Sequence, residues 1–283
     1  MKENDSIDEL KTRARRLKIS GKYAGWIVAA VLLIYFNTGL RAYAADVNPV
    51  PADLEWNTVL KHFQVDSDKF IGQQFLFKCP ERTVRDSDDA LYGTDVYTSD
   101  SPICVAAVHA GAITPAGGVV RVQLNPGIES YAGSERNEVR SADFPQTQRS
   151  IRFVLDEFAN VLSPVQRDYA PRLKWDTKFT STGLANMKLV GQQFLFHCPA
   201  APASLAGRRV YGTDRYAFNS YVCLAAVHAG RLTAEGGYVT VQMQAPEGKL
   251  KGSIRNGIES KDGPAGTRQL IFPVVNAPVA AAQ

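Results

Sequence analysis

Two stretches pair a cysteine with a histidine at one spacing: ICVAAVHAG at 103–111 and VCLAAVHAG at 222–230. A thiolate beside an imidazole makes a nucleophile–base pair, and the same two side chains are common zinc ligands. The spacing opposes both chemistries. On a helix, Cys104 and His109 are five residues apart and point about 140° away from one another, whereas side chains that meet lie three or four apart. Cys223 and His228 repeat that divergence. No further ligands complete a metal site, so neither metal nor cofactor is expected. Of the carboxylates, Asp95 and Asp214 with Glu129 or Glu259 are the candidate pairs for polymer hydrolysis. An aspartate in a Tyr-Gly-Thr-Asp turn normally caps backbone amides, and no second carboxylate stands at a fixed separation from it. Catalysis is not expected.

The cysteines fit a structural role better. Cys79 and Cys104 lie in the first copy, Cys198 and Cys223 in the second. If the chain is exported, one bridge forms in each. Closing 25 residues contributes about 3.5 kcal/mol in the chain-entropy description. His109 and His228 then read as structural histidines that hydrogen-bond backbone at a helix end, where an imidazolium would also suit the dipole.

The elements that position these residues recur with them. Shifting the chain by 119 residues aligns GQQFLFKCP at 72–80 with GQQFLFHCP at 191–199, and YGTDVY at 92–97 with YGTDRY at 211–216. No gap is needed between 54 and 153, which points to two modules, 54–153 and 173–272, joined by a linker at 154–172. In each, QQFLFKC or its counterpart is a strand candidate. The cysteine–histidine segment is a helix without a polar face, hence buried. Ser101 is the expected N-cap, with Pro102 at the first helical position and Gly111 just past the end; Ser220 and Gly230 hold the corresponding places. VVRVQL alternates as a half-exposed strand, and Asn256-Gly257 marks a tight turn that copy one holds as Asn137-Glu138. The fold class is α+β.

The chain has 283 residues, 45% of them apolar, and a net charge of +4 that is unevenly spread. Residues 54–153 carry ten basic and thirteen acidic residues, net −3; residues 173–272 carry twelve and six, net +6. Residues 1–22 form a basic segment expected in the cytoplasm. Tyr23–Leu40 runs 18 residues without a charge, just enough to cross a bilayer. Lys11, Arg13, Arg15, Arg16, Lys18 and Lys22 precede it, which orients the remainder outside the cytoplasm. A single transmembrane helix over 23–41 is the first reading; cleavage of a signal peptide near Ala44 is the second. Both place residues 46–283 in the periplasm or outside the cell. Residues 273–283 read as a disordered tail.

The combined pattern resembles the LCCL domain. Tyr92-Gly93-Thr-Asp95, Ser101 to Gly111 and Tyr131-Ala-Gly-Ser with Asn137 carry the likeness in the first copy. Tyr211-Gly212-Thr-Asp214, Ser220 to Gly230 and Gly252-Ser with Asn256 carry it in the second. The resemblance implies a central helix wrapped by irregular antiparallel strands. It also implies a non-catalytic extracellular module, with lipopolysaccharide or glycan recognition proposed for some members. Thr83 and Pro202 stand where many members have a second cysteine of a Cys-Pro-x-x-Cys motif. Copy two, with Arg208, Arg209, Lys249, Lys251 and Arg255, is the better candidate for an anion. The alternative is a structural or protein–protein role in which the modules associate with one another or with neighbouring chains. Nucleic acid is not expected as a partner.

Overall fold

The computed structural model describes residues 49–82, 90–154, 162–202 and 209–273. The expected cytoplasmic segment, transmembrane helix and cleavage site, Arg208 and all of the expected tail beyond Pro273 lie outside those residues. Among the described residues no helix is long and apolar enough to cross a membrane.

The first copy begins with β1 (Ala52–Asp53), which pairs in parallel with β2 (Gln74–Cys79). The hairpin β3 (Gly93–Thr94) and β4 (Val96–Thr98) leads to the α-helix α1 (Ile103–His109). The long β5 (Gly118–Pro126) follows, then the short β6 (Ser130–Tyr131), β7 (Glu135–Arg136), β8 (Val139–Arg140) and β9 (Phe144–Pro145). β10 (Arg149–Phe153) closes a six-stranded sheet of order β1-β2-β5-β10-β4-β3. A helix α2 (Pro164–Tyr169) lies in the stretch between the copies, its Ser163 N-cap accepting the Gln166 amide.

The second copy repeats the plan with β11 (Gln193–Cys198), β12 (Gly212–Thr213), β13 (Arg215–Ala217), α3 (Val222–His228) and β14 (Gly237–Gln244). β15 (Ile254–Arg255) and β16 (Ile258–Glu259) form a hairpin, and β17 (Gln269–Ile271) completes a sheet of order β11-β14-β17-β13-β12. The architecture is thus mixed α+β. The parallel β1–β2 pairing is the one departure from the expected antiparallel wrap among the named strands.

Strand pattern and helix composition explain the core. In β2, Phe75, Phe77 and Cys79 alternate onto the inner face, where they meet Val120 and Val122 of β5 in register and the helix beyond. Every residue of α1 is buried, and Ala106 and Ala107 are fully so. Seven residues are too few for a helix to persist alone. Burial of Ile103, Val105 and Val108, each contributing about 1.5–3 kcal/mol, outweighs propensity here.

Helix ends are satisfied by tertiary partners. The expected Ser101 cap is not made: Pro102 takes the N-cap place with extended backbone, φ −62° and ψ 125°. The first helical amide, Ile103 N–H, instead donates to the Thr58 carbonyl at 2.9 Å, as Val222 does to Thr177 at 3.0 Å. At the other end Gly111 adopts φ +74°; its amide donates to Val108 and that of Ala112 to Ala107, both at 2.9 Å. That is a Schellman termination, and Gly230 and Arg231 reproduce it on Val227 and Ala226.

The two copies dock along strands β2 and β11. Gln73 Nε2 donates to the Leu195 carbonyl at 2.7 Å and Gln73 Oε1 accepts from Leu195 N–H at 3.0 Å. Reciprocally, Gln192 Oε1 accepts from Leu76 N–H and Gln192 Nε2 donates to the Leu76 carbonyl, both at 2.7 Å. Since Gln192 is Gln73 shifted by 119 and Leu195 is Leu76 so shifted, the contact is isologous, a pseudo-two-fold within one chain. Phe75 and Phe194 meet edge to face at 6.1 Å beside it. The docking is built from neutral amides and phenyl rings.

Candidate functional site

Each helix end gathers most of the residues singled out above. Cys79 at the end of β2 joins Cys104 in α1, and Cys198 joins Cys223, with Cα separations of 5.6 and 5.8 Å. The bridges fasten the helix to the sheet, and no free cysteine is left to act as a nucleophile.

The histidines are fully buried. Tyr97 Oη lies 2.8 Å from His109 Nδ1, while His109 Nε2 lies 3.3 Å from the Ser134 carbonyl. A carbonyl only accepts, so the proton sits on Nε2 and Nδ1 accepts the tyrosine hydroxyl. Ser134 Oγ and Ser141 Oγ, each 3.3 Å away, complete the shell. His228 is held the same way by Tyr216 at 2.8 Å and the Ser253 carbonyl at 3.2 Å. Burial lowers both imidazole pKa values below the ordinary 6.5. Burial thus works against the imidazolium expected to complement the helix dipole. Burial likewise pushes the Tyr97 hydroxyl up to about 12 and raises that of Tyr216.

The turn residues do work that the sequence did not announce. Asn137 Nδ2 donates to the Val108 and His109 carbonyls at 3.0 and 3.2 Å, so it caps the carboxyl end of α1 from the β7–β8 turn. Asn256 does so on Val227 and His228 at 3.0 and 3.1 Å. Glu138 holds φ +60° where copy two has Gly257 at +73°, which keeps the tight turn without its glycine. Ser101 Oγ accepts from Tyr92 N–H at 3.3 Å and Ser220 Oγ from Tyr211 N–H at 3.0 Å, pinning the Tyr-Gly-Thr-Asp segment to the start of the helix. Gly93 and Gly212 sit at φ +96° and +98°, and a Cβ there would collide with the carbonyls of Val96 and Arg215.

Asp95 and Asp214 do not cap amides as expected. Both sit exposed at φ +62° and pair with Arg136 and Arg255 of the facing hairpin. Arg255 is thereby committed, and so is Lys251, which pairs with Asp262 at 3.0 Å. Arg209 and Lys249 are exposed, and no carboxylate partner accompanies either among the described residues. The expected five-cation cluster is thus split, with two members neutralised and Arg208 outside the described residues. Among the described residues no group of three or more His, Cys, Asp or Glu is placed to hold a metal.

This arrangement, a buried helix disulfide-bonded to its sheet with a buried histidine at its end, occurs twice, and both stretches of sequence match one family model. The LCCL-domain profile fits residues 54–151 and 173–269. The chain belongs to the LCCL-domain family and contains two such domains in tandem. It is 31% identical to human cysteine-rich secretory protein LCCL domain-containing 2 over 182 residues, 60% of this chain and 32% of that protein. It is 40% identical to human vitrin over 30% of this chain and 12% of vitrin. Clotting factor C of Tachypleus tridentatus is 40% identical over 32% of this chain and 9% of its own length. The match therefore spans under a third of each of these relatives.

Proposed function

We propose that this chain is a non-catalytic binding protein that presents two LCCL modules outside the cytoplasm on an N-terminal membrane anchor, and that an anionic envelope glycan such as lipopolysaccharide is its ligand class. One observation carries the reading: one scaffold bears net −3 in the first copy and +6 in the second. The buried cysteines and histidines of both copies are fully occupied in holding the fold. Charge that differs between copies of one fold has no role in specifying that fold and bears on association. The apolar, charge-free run Tyr23–Leu40 with its basic flank supports the anchor.

Co-sedimentation of the full chain with lipopolysaccharide, with peptidoglycan and with a neutral polysaccharide tests the ligand class. Saturable binding to lipopolysaccharide that weakens with salt supports it. Equal binding to the neutral polymer, or none to any, contradicts it.

A second reading, a protein–protein role, is favoured by Ile254, an isoleucine 76% exposed on the β15–β16 hairpin. Concentration-dependent sedimentation of the full chain supports that reading.

A further inference from the structure

The duplication supplies its own control, because each position of the second copy has a counterpart 119 residues earlier on the same backbone. Comparing the two surfaces locates the positive charge that the second copy gains. We propose that Lys178, Arg209, Tyr211, Tyr221 and Lys261 form a binding face for a sugar ring carrying a phosphate or carboxylate, present in the second module and missing from the first. The proposal rests on the anionic-glycan reading above and assigns it a site.

Backbone contacts join the five residues into one patch. Lys178 and Tyr221 form an antiparallel bridge, with Lys178 Nζ 5.9 Å from the Tyr221 ring centre. Tyr221 N–H donates to the Arg209 carbonyl at 3.1 Å, and Lys261 N–H donates to the Val210 carbonyl at 2.8 Å. Tyr211 pairs in parallel with Lys261. Lys178, Arg209 and Lys261 are exposed, and the two tyrosines are half-buried.

The first copy places Val59, Ala90, Pro102 and Ala142 where the second has Lys178, Arg209, Tyr221 and Lys261. Three cations and one ring thus replace four uncharged side chains. Tyr92 and Tyr211 occupy the same place, yet their surroundings differ. Phe144 packs on Tyr92 with ring centres 4.5 Å apart, whereas the counterpart of Phe144 in the second copy is Gly263, which has no ring to lay on Tyr211. Among the described residues no aromatic ring covers Tyr211, and none of the three cations has a carboxylate partner. Asp262, the neighbouring acid, is taken up by Lys251 and the Gly252 amide.

The chemistry follows from the residue types. A pyranose offers an apolar face of C–H groups to an aromatic ring, while tyrosine keeps its hydroxyl for the sugar's own hydroxyls. An arginine binds phosphate or carboxylate oxygens through two parallel N–H groups, and flanking lysines add unpaired charge. Free cations without acids between them attract an anion that paired surface ions do not.

The experiment measures binding of the full chain to lipopolysaccharide, which carries phosphate, and to polygalacturonate, which carries carboxylate, with dextran as neutral control. The triple variant Lys178→Val, Arg209→Ala, Lys261→Ala installs residues that the first copy already bears at these positions, so folding, checked by circular dichroism, is retained. We expect it to weaken binding by about tenfold or more, as loss of several charge-assisted contacts does. Tyr221→Leu, which keeps all three cations, is expected to weaken binding about threefold. Binding to one charged probe alone identifies which anion the patch selects. Wild-type binding that survives the triple variant but is lost in Lys249→Ala, Lys251→Ala, Arg255→Ala overturns this site and leaves the glycan reading standing. Unchanged affinity in Tyr221→Leu overturns the sugar-stacking face. No wild-type binding to either charged probe overturns the glycan reading and the site together.

Discussion

Gln73 and Leu195, 122 residues apart, share two buried hydrogen bonds in which a side-chain amide stands in for a neighbouring strand's backbone. Gln192 repeats this on Leu76. An edge strand normally exposes such backbone groups to unwanted pairing. Here each module covers backbone groups of the other's β2 or β11 with a glutamine only 1% exposed. The leader segments add to the docking: Val50 lies on Gly191, and α2 lies on Gly72.

Removing one glutamine should therefore uncouple the pair. Gln73→Ala strands the Leu195 N–H and carbonyl in a buried place, at about 1–3 kcal/mol per group. A loss of about 2–4 kcal/mol by urea denaturation is expected, with an increased radius of gyration in scattering. Gln192→Ala should match it, because the contact is isologous. An unchanged stability in both variants would refute the lock.

The helix terminus offers a second test. Asn137→Ala removes two bonds to the last carbonyls of α1 and places alanine at φ +50°. A loss of about 1–2 kcal/mol is expected, and Asn256→Ala should cost the same. Asn137→Gly restores the backbone freedom without the bonds, so it should recover only part.

Acid should destabilise the fold through the histidines. Their folded pKa values lie below the unfolded 6.5, so the unfolded chain binds protons first and stability falls as pH drops below about 6.5. Above that value the contribution is fully present. His109→Gln with His228→Gln should flatten the slope of unfolding free energy between pH 7 and 5. The tyrosines act at the other extreme. The Tyr97 hydroxyl stays protonated to about 12, so stability is lost as pH rises past 10, where the unfolded chain ionises.

The disulfides should contribute equally, since both have a sequence separation of 25. Replacing Cys79 and Cys104 together by Ala should cost about 3.5 kcal/mol, and the Cys198–Cys223 pair the same. Unequal losses would show that the native states are strained differently.

How much of this was legible depends on the range of each contact. The duplication, the buried helix and its glycine stop follow from local pattern, as does one cysteine pair per copy. Ser101 before Pro102 has the pattern of an N-cap, while the partner of the first helical amide is the Thr58 carbonyl, 45 residues from Ile103. Gln73 carried no signal, since a glutamine before a strand gives no sign of meeting another module. The ion pairs that neutralise Arg255 and Lys251 join residues 41 and 11 apart, and only the folded arrangement shows them. The difference between Tyr92 and Tyr211 lies in Phe144, whose ring packs on Tyr92 and whose counterpart, Gly263, has no ring.

The most direct test of the account is the affinity of the full chain for lipopolysaccharide, measured by surface plasmon resonance across a salt series. Saturable binding is expected, its strength falling steadily as ionic strength rises and the Debye length shrinks from about 30 Å at 0.01 M to about 10 Å at 0.1 M. Absence of binding at the lowest salt, or an affinity independent of salt, would contradict it.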